Sequence, residues 1–223
     1  LVLPFREKPV WPVSSYMPVR IILSRAGVWE HDSRQFGGAV LKIKIPDMEQ
    51  NKPFQDCFWI VPGSLLAGEY PRNIDENSSR QKIRAILETG VRCFANLTEM
   101  NEIARGAPLL EYESLIRELG VPATVTRFPI PDKGTIPGNS IKMILDFIDQ
   151  NLSDGIPVYL HCWGGHGRTG MVAGCWLARH GLASGPDVLS LLRSLRSGMP
   201  DSWKSSPETP EQTRIVLSWG TGD

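Results

Sequence analysis

At 223 residues the chain is long enough to fill one well-packed domain with residues to spare. Its 24 lysines and arginines are balanced by 24 aspartates and glutamates, so no net field argues for a nucleic-acid or membrane-surface partner. No apolar run approaches the ~20 residues that span a bilayer, and the opening residues lack the basic, apolar and small-residue succession of a secretory leader.

Residues 1–55 differ in texture from the rest of the chain. Pro4, Pro9, Pro12 and Pro18 punctuate the first stretch, and Gly37-Gly38 marks a turn. Leu41-Lys42-Ile43-Lys44-Ile45 alternates as a half-buried strand does. This part reads as an N-terminal extension, with a hairpin packed on the domain as one form and a linker or a remnant of a neighbouring domain as others. Residues 56–223 read as the main domain. Phe58-Trp59-Ile60-Val61 is a strand before a Pro62-Gly63 turn, and 65–71 opens with a second apolar run. Ile83, Ile86 and Leu87 share a helical face that ends at Gly90. Residues 91–97 read as a strand, 110–119 as a short helix closed by Gly120, and 123–128 as a strand. Ile141, Ile144, Leu145, Ile148 and Leu152 define an amphipathic helix with Asn139 or Ser140 as its cap. Val158-Tyr159-Leu160 is short and wholly apolar, as a buried central strand should be. Helices follow at about 168–179, over Val188 to Leu195, and at about 210–219. This alternation implies an α/β fold with a single central, mostly parallel mixed sheet flanked by helices. No internal repeat or low-complexity tract is present.

Between the buried strand and the next helix lies His161-Cys162-Trp163-Gly164-Gly165-His166-Gly167-Arg168-Thr169-Gly170. The cysteine precedes the arginine by five intervening residues in a glycine-rich turn that opens a helix. Successive N–H groups of such a turn, with the free N–H groups and positive dipole end of the helix, form a nest for an anion. Arg168 adds a planar fork of donors suited to phosphate oxygens. The nucleophilic form of cysteine is the thiolate, and the same nest favours negative charge on sulfur. Cys162, Arg168 and the loop residues Trp163, Gly164, Gly165, His166 and Gly167 are therefore the candidates for attacking and holding a phosphate. Thr169 either donates its hydroxyl to the sulfur or simply pads the helix start, and His161 orients the loop through its ring nitrogens.

These ten residues carry the Cys-x5-Arg-Ser/Thr signature, and the chain resembles the cysteine-dependent protein phosphatases there. Within them it is most similar to the dual-specificity group, and residues 65–71 resemble the opening strand of its bacterial relatives. The resemblance implies the cysteine-phosphatase fold and a phosphocysteine intermediate. Asp132 lies thirty positions before Cys162 in Arg127-Phe128-Pro129-Ile130-Pro131-Asp132-Lys133-Gly134, which resembles the family's mobile acid loop. The resemblance gives Asp132 the role of general acid and base, whereas Pro-Asp-x-Gly alone is also ordinary turn chemistry. Gln212, in Ser206-Pro207-Glu208-Thr209-Pro210-Glu211-Gln212, matches the second glutamine of the late water-positioning loop of tyrosine phosphatases, with Glu208 where the first would stand. The same residues also spell a helix N-terminus, with Thr209 as cap and Pro210 at the first position. Glu69, Tyr70 and Arg72 resemble the segment at the pocket entrance, where Arg72 would meet a phosphopeptide or remain a solvated charge.

The implied partner is a phosphorylated protein or peptide, with neither nucleic acid nor membrane indicated. A small phosphate, an RNA 5′-phosphate or an inositol phosphate are alternatives, although the loop carries no lysine. A sulfur transferase and a non-enzymatic phosphoprotein-binding module would use the same loop differently. No metal or other cofactor is expected, since the few histidines and cysteines show no ligand spacing. A nucleophile that must stay reduced points to a reducing, cytoplasmic compartment. Cys93 and Cys175 read either as buried apolar residues or as resolving partners under oxidation.

Overall fold

The computed structural model describes residues 52–223, together with the backbone of three strands nearer the start: β1 (Ile21–Leu23), β2 (Val28–His31) and β3 (Leu41–Lys44). These pair antiparallel in the order β1-β2-β3, with Leu23 opposite Trp29 and His31 opposite Leu41. The alternating segment at 41–45 thus does form a strand, Leu41–Lys44, paired antiparallel with β2 as a hairpin would pair it, and β1 adds a strand on the other side of β2 that the sequence reading missed. Runs as short as Ile21-Ile22-Leu23 carry too few residues to show a period. The Gly37-Gly38 turn lies outside the described residues.

From residue 57 onward strands and helices alternate. In chain order they are β4 (Cys57–Val61), β5 (Leu65–Gly68), α1 (Glu76–Glu88), β6 (Cys93–Asn96), β7 (Ile103–Ala104), β8 (Ala107–Pro108), α2 (Glu113–Glu118), β9 (Thr124–Arg127), α3 (Gly138–Ser153), β10 (Val158–His161), α4 (Arg168–Arg179), α5 (Pro186–Leu195) and α6 (Pro210–Ser218). Five strands form one sheet in the order β4-β5-β10-β6-β9, with β4 antiparallel to β5 and the remaining pairs parallel. This is the expected α/β class with a central, mostly parallel mixed sheet. β7 and β8 make a separate small ribbon that sequence reading missed.

The local reasons are plain in the side chains. β10 is buried along its whole length between β5 and β6, so it shows an apolar run instead of alternation. Helix α1 is capped by Asp75, whose carboxylate accepts from the Ser78 N–H at 2.8 Å, and it buries Ile83, Ile86 and Leu87. Helix α3 starts differently from expectation. Neither Asn139 nor Ser140 caps it; Pro137 does, in extended backbone, and its carbonyl accepts from the Ser140 and Ile141 N–H groups at 2.9 and 3.2 Å. The proline ring also disfavours helical backbone at the preceding residue, so the helix cannot begin earlier. Helix α2 is shorter than the expected 110–119 because Tyr112, at its cap position, is drawn wholly into the core.

Register sets up the site. His161 at the end of β10 is opposite Gly68 on β5 and Asn96 on β6, so three parallel strands present their carboxyl ends at one edge, where open α/β sheets bind ligands. Helix α4 leaves from that edge and packs against α3, α5 and α6. Its Gly174 lets α6 approach closely, since a Cβ there would lie 2.8 Å from Val216. Among the described residues, no helix is long and apolar enough to cross a membrane.

Candidate active site

The loop from Cys162 to Gly167 joins β10 to α4, and it is held from both sides. Cys162 is 3% exposed. Gly165 has φ +72°, and its Cα backs onto β5: a Cβ there would lie 2.5 Å from the Gly68 carbonyl carbon and 2.6 Å from the Glu69 nitrogen. Only glycine satisfies both the left-handed backbone and that approach. The Tyr70 N–H donates to the Trp163 carbonyl at 2.8 Å, and the Ser206 hydroxyl donates to the His166 carbonyl at 2.8 Å. Helix α4 begins without a side-chain cap, and the Met171 N–H is the donor to Gly167. The N–H groups of its first turn therefore lack intrahelical acceptors beside Cys162.

Arg168 is almost wholly buried, and its guanidinium is gripped by a residue the sequence did not suggest. Nη1 and Nη2 donate to Glu102 Oε2 and Oε1 at 2.6 and 2.8 Å. Nη1 also reaches the Ile130 carbonyl at 3.0 Å, and Nη2 reaches Asp132 Oδ1 at 3.1 Å. Burial works to lower the Arg168 pKa, but the Glu102 hydrogen bonds and the charges on Cys162, Glu102 and Asp132 outweigh it and hold the pKa above its usual value. Glu102 is itself fixed by the Glu99 N–H at 3.0 Å.

His161 is fully buried, and burial depresses its pKa to about 3. The ring is therefore neutral. Its Nδ1 lies 3.2 Å from the Cys162 carbonyl, an obligate acceptor, and its Nε2 lies 2.7 Å from the Tyr112 hydroxyl. A neutral ring meets both contacts only with the proton on Nδ1 and Tyr112 donating to Nε2. Thr169 is also fully buried, and its Oγ1 has no hydrogen-bond partner among the described residues.

Above this floor opens a cleft of about 520 Å³ whose lining includes Cys162, Trp163, Gly164, His166, Gly167, Arg168 and Asp132. Asp132 sits in a turn closed by the Gly134 N–H to Pro131 carbonyl bond at 2.8 Å, with its carboxylate half exposed. The far wall is Trp203, Lys204, Ser205 and Glu208. His166 spans the two sides, with Nδ1 3.5 Å from Asp201 and Nε2 3.6 Å from Glu208.

Several sequence candidates fall elsewhere. Gly165 is not among the residues lining the cleft, because its Cα faces β5. Gln212 is buried in a complete capping box with Thr209, its Oε1 accepting from Glu208 and Thr209 N–H groups at 3.1 and 3.3 Å. Its Nε2 donates to the Gly134 carbonyl at 2.9 Å, so it ties the Asp132 turn to α6 without lining the cleft. Arg72 is spoken for by the Glu111 carbonyl and Glu76, Glu69 by Lys82, and Tyr70 is buried, so none of the three lines the cleft. Cys93 and Cys175 are buried free thiols whose pKa values burial raises. Four residues went unnoticed in the sequence: Glu102, Tyr112, Trp203 and Lys204. No local pattern marks them.

A central strand, a glycine-rich cysteine loop and a helix carrying a buried arginine, set in a five-stranded mixed sheet, define the class of dual-specificity and tyrosine phosphatase folds. The chain belongs to the family described as PTP-SAK, the Swiss Army Knife protein DSP-PTPase phosphatase domain, whose profile matches residues 55–213. It is 31% identical over 172 residues to the 067L protein of Invertebrate iridescent virus 3, whose name provisionally assigns it to the tyrosine phosphatases. That alignment covers 73% of this chain and 64% of the viral protein, so the chain spans less than two thirds of that relative. An uncharacterized protein of Methanocaldococcus jannaschii is 35% identical over 80 residues, 36% of this chain and 50% of that one. Among solved structures, Tk-PTP in its active form is similar with a TM-score of 0.55 at 21% identity, covering 73% of this chain and 95% of the other. Kinase associated phosphatase carrying a serine for its catalytic cysteine gives 0.56 at 19%, covering 72% and 90%. PTPMT1 in complex with PI(5)P gives 0.55 at 17%, covering 74% and 94%.

Proposed function

We propose that the chain is a metal-independent phosphomonoester hydrolase that works through a phosphocysteine, with a phosphorylated protein or peptide as substrate. One observation carries the reading: Cys162, Arg168 and Asp132 line a single cleft at the carboxyl end of the central strand. The Cys162 thiolate attacks phosphorus in line, the P–O bond to the leaving group breaks, and Asp132 gives that oxygen its proton. Water then attacks the phosphocysteine while Asp132 takes the water's proton, releasing phosphate and restoring the thiolate. Splitting the displacement in two is the gain of covalent catalysis, and Arg168 with the loop amides holds the charge on the equatorial oxygens.

The resting contacts support these roles. Glu102 occupies one side of the Arg168 fork. Asp132 sits where a phosphate oxygen would meet Nη2, so substrate binding would release Asp132 toward the leaving group. The unpartnered Thr169 hydroxyl, buried beside the loop, is the donor for sulfur as it departs. The neutral His161 moves no proton; it fixes the Cys162 carbonyl and thereby the loop. The thiol must stay reduced, which fits a reducing compartment. Residues 56–223 would carry the catalytic domain and 1–55 an extension to it.

A non-protein phosphate is the second reading. Lys133 and Lys204 line the cleft although the loop has no lysine, and the PTPMT1 structure holds PI(5)P. The test is phosphate release from an aryl phosphate, without metal and with reductant. The intact chain should turn over, Cys162→Ser should fall to background, and Asp132→Asn should lose about 10²–10⁴-fold in kcat. A folded, reduced chain without turnover on aryl phosphate, phosphopeptides or inositol phosphates would sink the enzyme reading and leave the phosphoprotein-binding module.

A further inference from the structure

The small β7–β8 ribbon is fastened to the cysteine loop at both of its ends. At its root, Glu102 grips the Arg168 guanidinium, and the Leu109 N–H donates to the Glu102 carbonyl at 2.8 Å, drawing the two strands together. At its tip, the Arg105 guanidinium lies over the Trp163 ring, 5.5 Å from its centroid, within the range of a cation–π attraction. Trp163 directly follows the nucleophile and lines the cleft. The ribbon therefore bridges the loop from Trp163 to Arg168, and its tip stands at the rim, beside Trp163 and outside the residues that line the cleft.

The tip is an unusual place for an arginine. Ala104 pairs with Ala107, so Arg105 and Gly106 alone make the turn, and both have positive φ, +53° and +81°. A two-residue hairpin turn with both residues left-handed is the one that asparagine-glycine fits best. Glycine holds the second position, but the first carries a long side chain in backbone that side chains disfavour. Strain of this kind persists where it is held for a purpose. Arg105 is exposed, and apart from Trp163 it has no hydrogen-bond or ion-pair partner among the described residues. Carboxylates of the same segment are turned elsewhere, Glu102 to Arg168, and Glu111 and Glu113 to Arg127. Attraction to a ring uses the charge of a guanidinium and leaves its fork of N–H donors free. Arg105 is thus a preoriented cation with unclaimed donors beside the mouth of the cleft.

We propose that Arg105 is a specificity-determining residue that reads an acidic side chain, an aspartate or glutamate flanking the phosphorylated residue of a peptide substrate. This rests on the phosphopeptide reading of the cleft. With the phosphate over Cys162, the peptide leaves the cleft across its rim, and a segment running past Trp163 meets Arg105. The planar fork takes the carboxylate in two parallel hydrogen bonds. The indole already holds the guanidinium, so little side-chain freedom is lost on binding. The contact stays in water, which limits it to the scale of an exposed ion pair and makes it sensitive to salt. One cation in a segment that also carries Glu99, Glu102, Glu111 and Glu113 suits a single carboxylate, whereas an anionic membrane calls for a cluster of basic residues.

The test is equilibrium binding of labelled phosphotyrosine peptides to the full chain carrying Cys162→Ser, so that nothing is turned over. The peptides are identical except for one glutamate, moved through the positions on either side of the phosphotyrosine, or a glutamine in its place. At one position glutamate should bind about fivefold more tightly than glutamine at low salt, and the difference should shrink as salt is raised. Arg105→Asn, which suits the left-handed turn and removes the cation, should bring that ratio to about one. Arg105→Glu should reverse it in favour of a lysine at the same position. Because the ratio is read within each chain, any general loss from disturbing Trp163 cancels. A ratio of about one at every position in the chain that retains Arg105, or a preference that survives Arg105→Asn, overturns the proposal. So does a chain that ignores the acid in the peptide and binds phosphatidylserine vesicles only while Arg105 is present, which would assign the residue to a membrane surface. Failure of the phosphatase reading is a separate result: it appears as absent aryl phosphate turnover by the intact chain, with the binding ratio and its dependence on Arg105 unaffected.

Discussion

The floor and the rim of the cleft are built in opposite ways. On the floor, His161, Cys162, Arg168 and Thr169 are at most 3% exposed, and Arg168 alone makes four hydrogen bonds to three partners. On the rim, Lys133 and Trp203 are 66% and 81% exposed, and Asp132 keeps half its side chain in water. The floor is thus part of the core, and its geometry is maintained by the same contacts that stabilise the fold. The rim is hung on a few bonds, such as the one from Gln212 to the Gly134 carbonyl. Changes to the floor should cost stability and rate together, and changes to the rim should cost rate alone.

The largest stability effect should come from the floor's hidden partner. Glu102→Ala leaves the Arg168 guanidinium buried without its bidentate carboxylate, and removing one member of a buried pair costs about 3–5 kcal/mol. Chemical denaturation should read that loss; a change under about 1 kcal/mol, the scale of a surface pair, would show that the floor is looser than its contacts suggest. Gly165→Ala comes next. It forces a side chain into left-handed backbone and against Gly68 and Glu69, at a cost of about 2–4 kcal/mol. An unchanged midpoint with full turnover would mean that the loop does not rest on β5.

At neutral pH the next change is silent, because it lies in the pH dependence of the floor. His161 titrates near 6.5 when unfolded and near 3 when folded, because burial disfavours its charge. Its neutral form fits the fold, so its contribution is intact above about pH 6.5 and is lost progressively as pH falls toward about 3. Over that window the unfolded chain takes up a proton that the folded chain refuses, adding a slope of up to about 1.4 kcal/mol per pH unit. His161→Asn should show a shallower fall in stability than the intact chain over the same range. Parallel curves would mean that the ring is protonated in place.

The same division explains what was legible in the sequence. The Cys162 loop announces itself because its pattern is a short spacing within one segment, Asp132 is reached only through the resemblance of its segment to an acid loop, and the buried strand before the cysteine shows as an apolar run. Glu102 and Tyr112 act on residues 66 and 49 positions away, and each sits in a stretch that reads locally as polar turn or helix start. Nothing in Thr98-Glu99-Met100-Asn101-Glu102 distinguishes the carboxylate that enters the core from the one that does not. Trp203 and Lys204 lie between helices, where composition says only that a connection is present. Gln212 was legible as the third position of a helix start capped by Thr209, but its hold on Gly134 was not, because that bond spans 78 positions.

The smallest stability effect, and the sharpest contrast with Glu102→Ala, is expected at Asp132. Its carboxylate contacts the same guanidinium, with Oδ1 3.1 Å from Arg168 Nη2. Geometry alone would suggest a comparable contribution from the two acids. Burial separates them: the Glu102 side chain is 6% exposed and that of Asp132 is 52%. Water screens the second pair, and Arg168 retains both Glu102 oxygens and the Ile130 carbonyl when Asp132 is neutralised. Asp132→Asn should therefore change stability by no more than about 0.5 kcal/mol while removing the proton donor proposed for the leaving group. Denaturation and phosphate release measured on the same preparation would decide it. A variant that loses stability as well as rate would place Asp132 with the floor, as a structural partner of Arg168, and would remove the reason for treating its turn as a separable catalytic element.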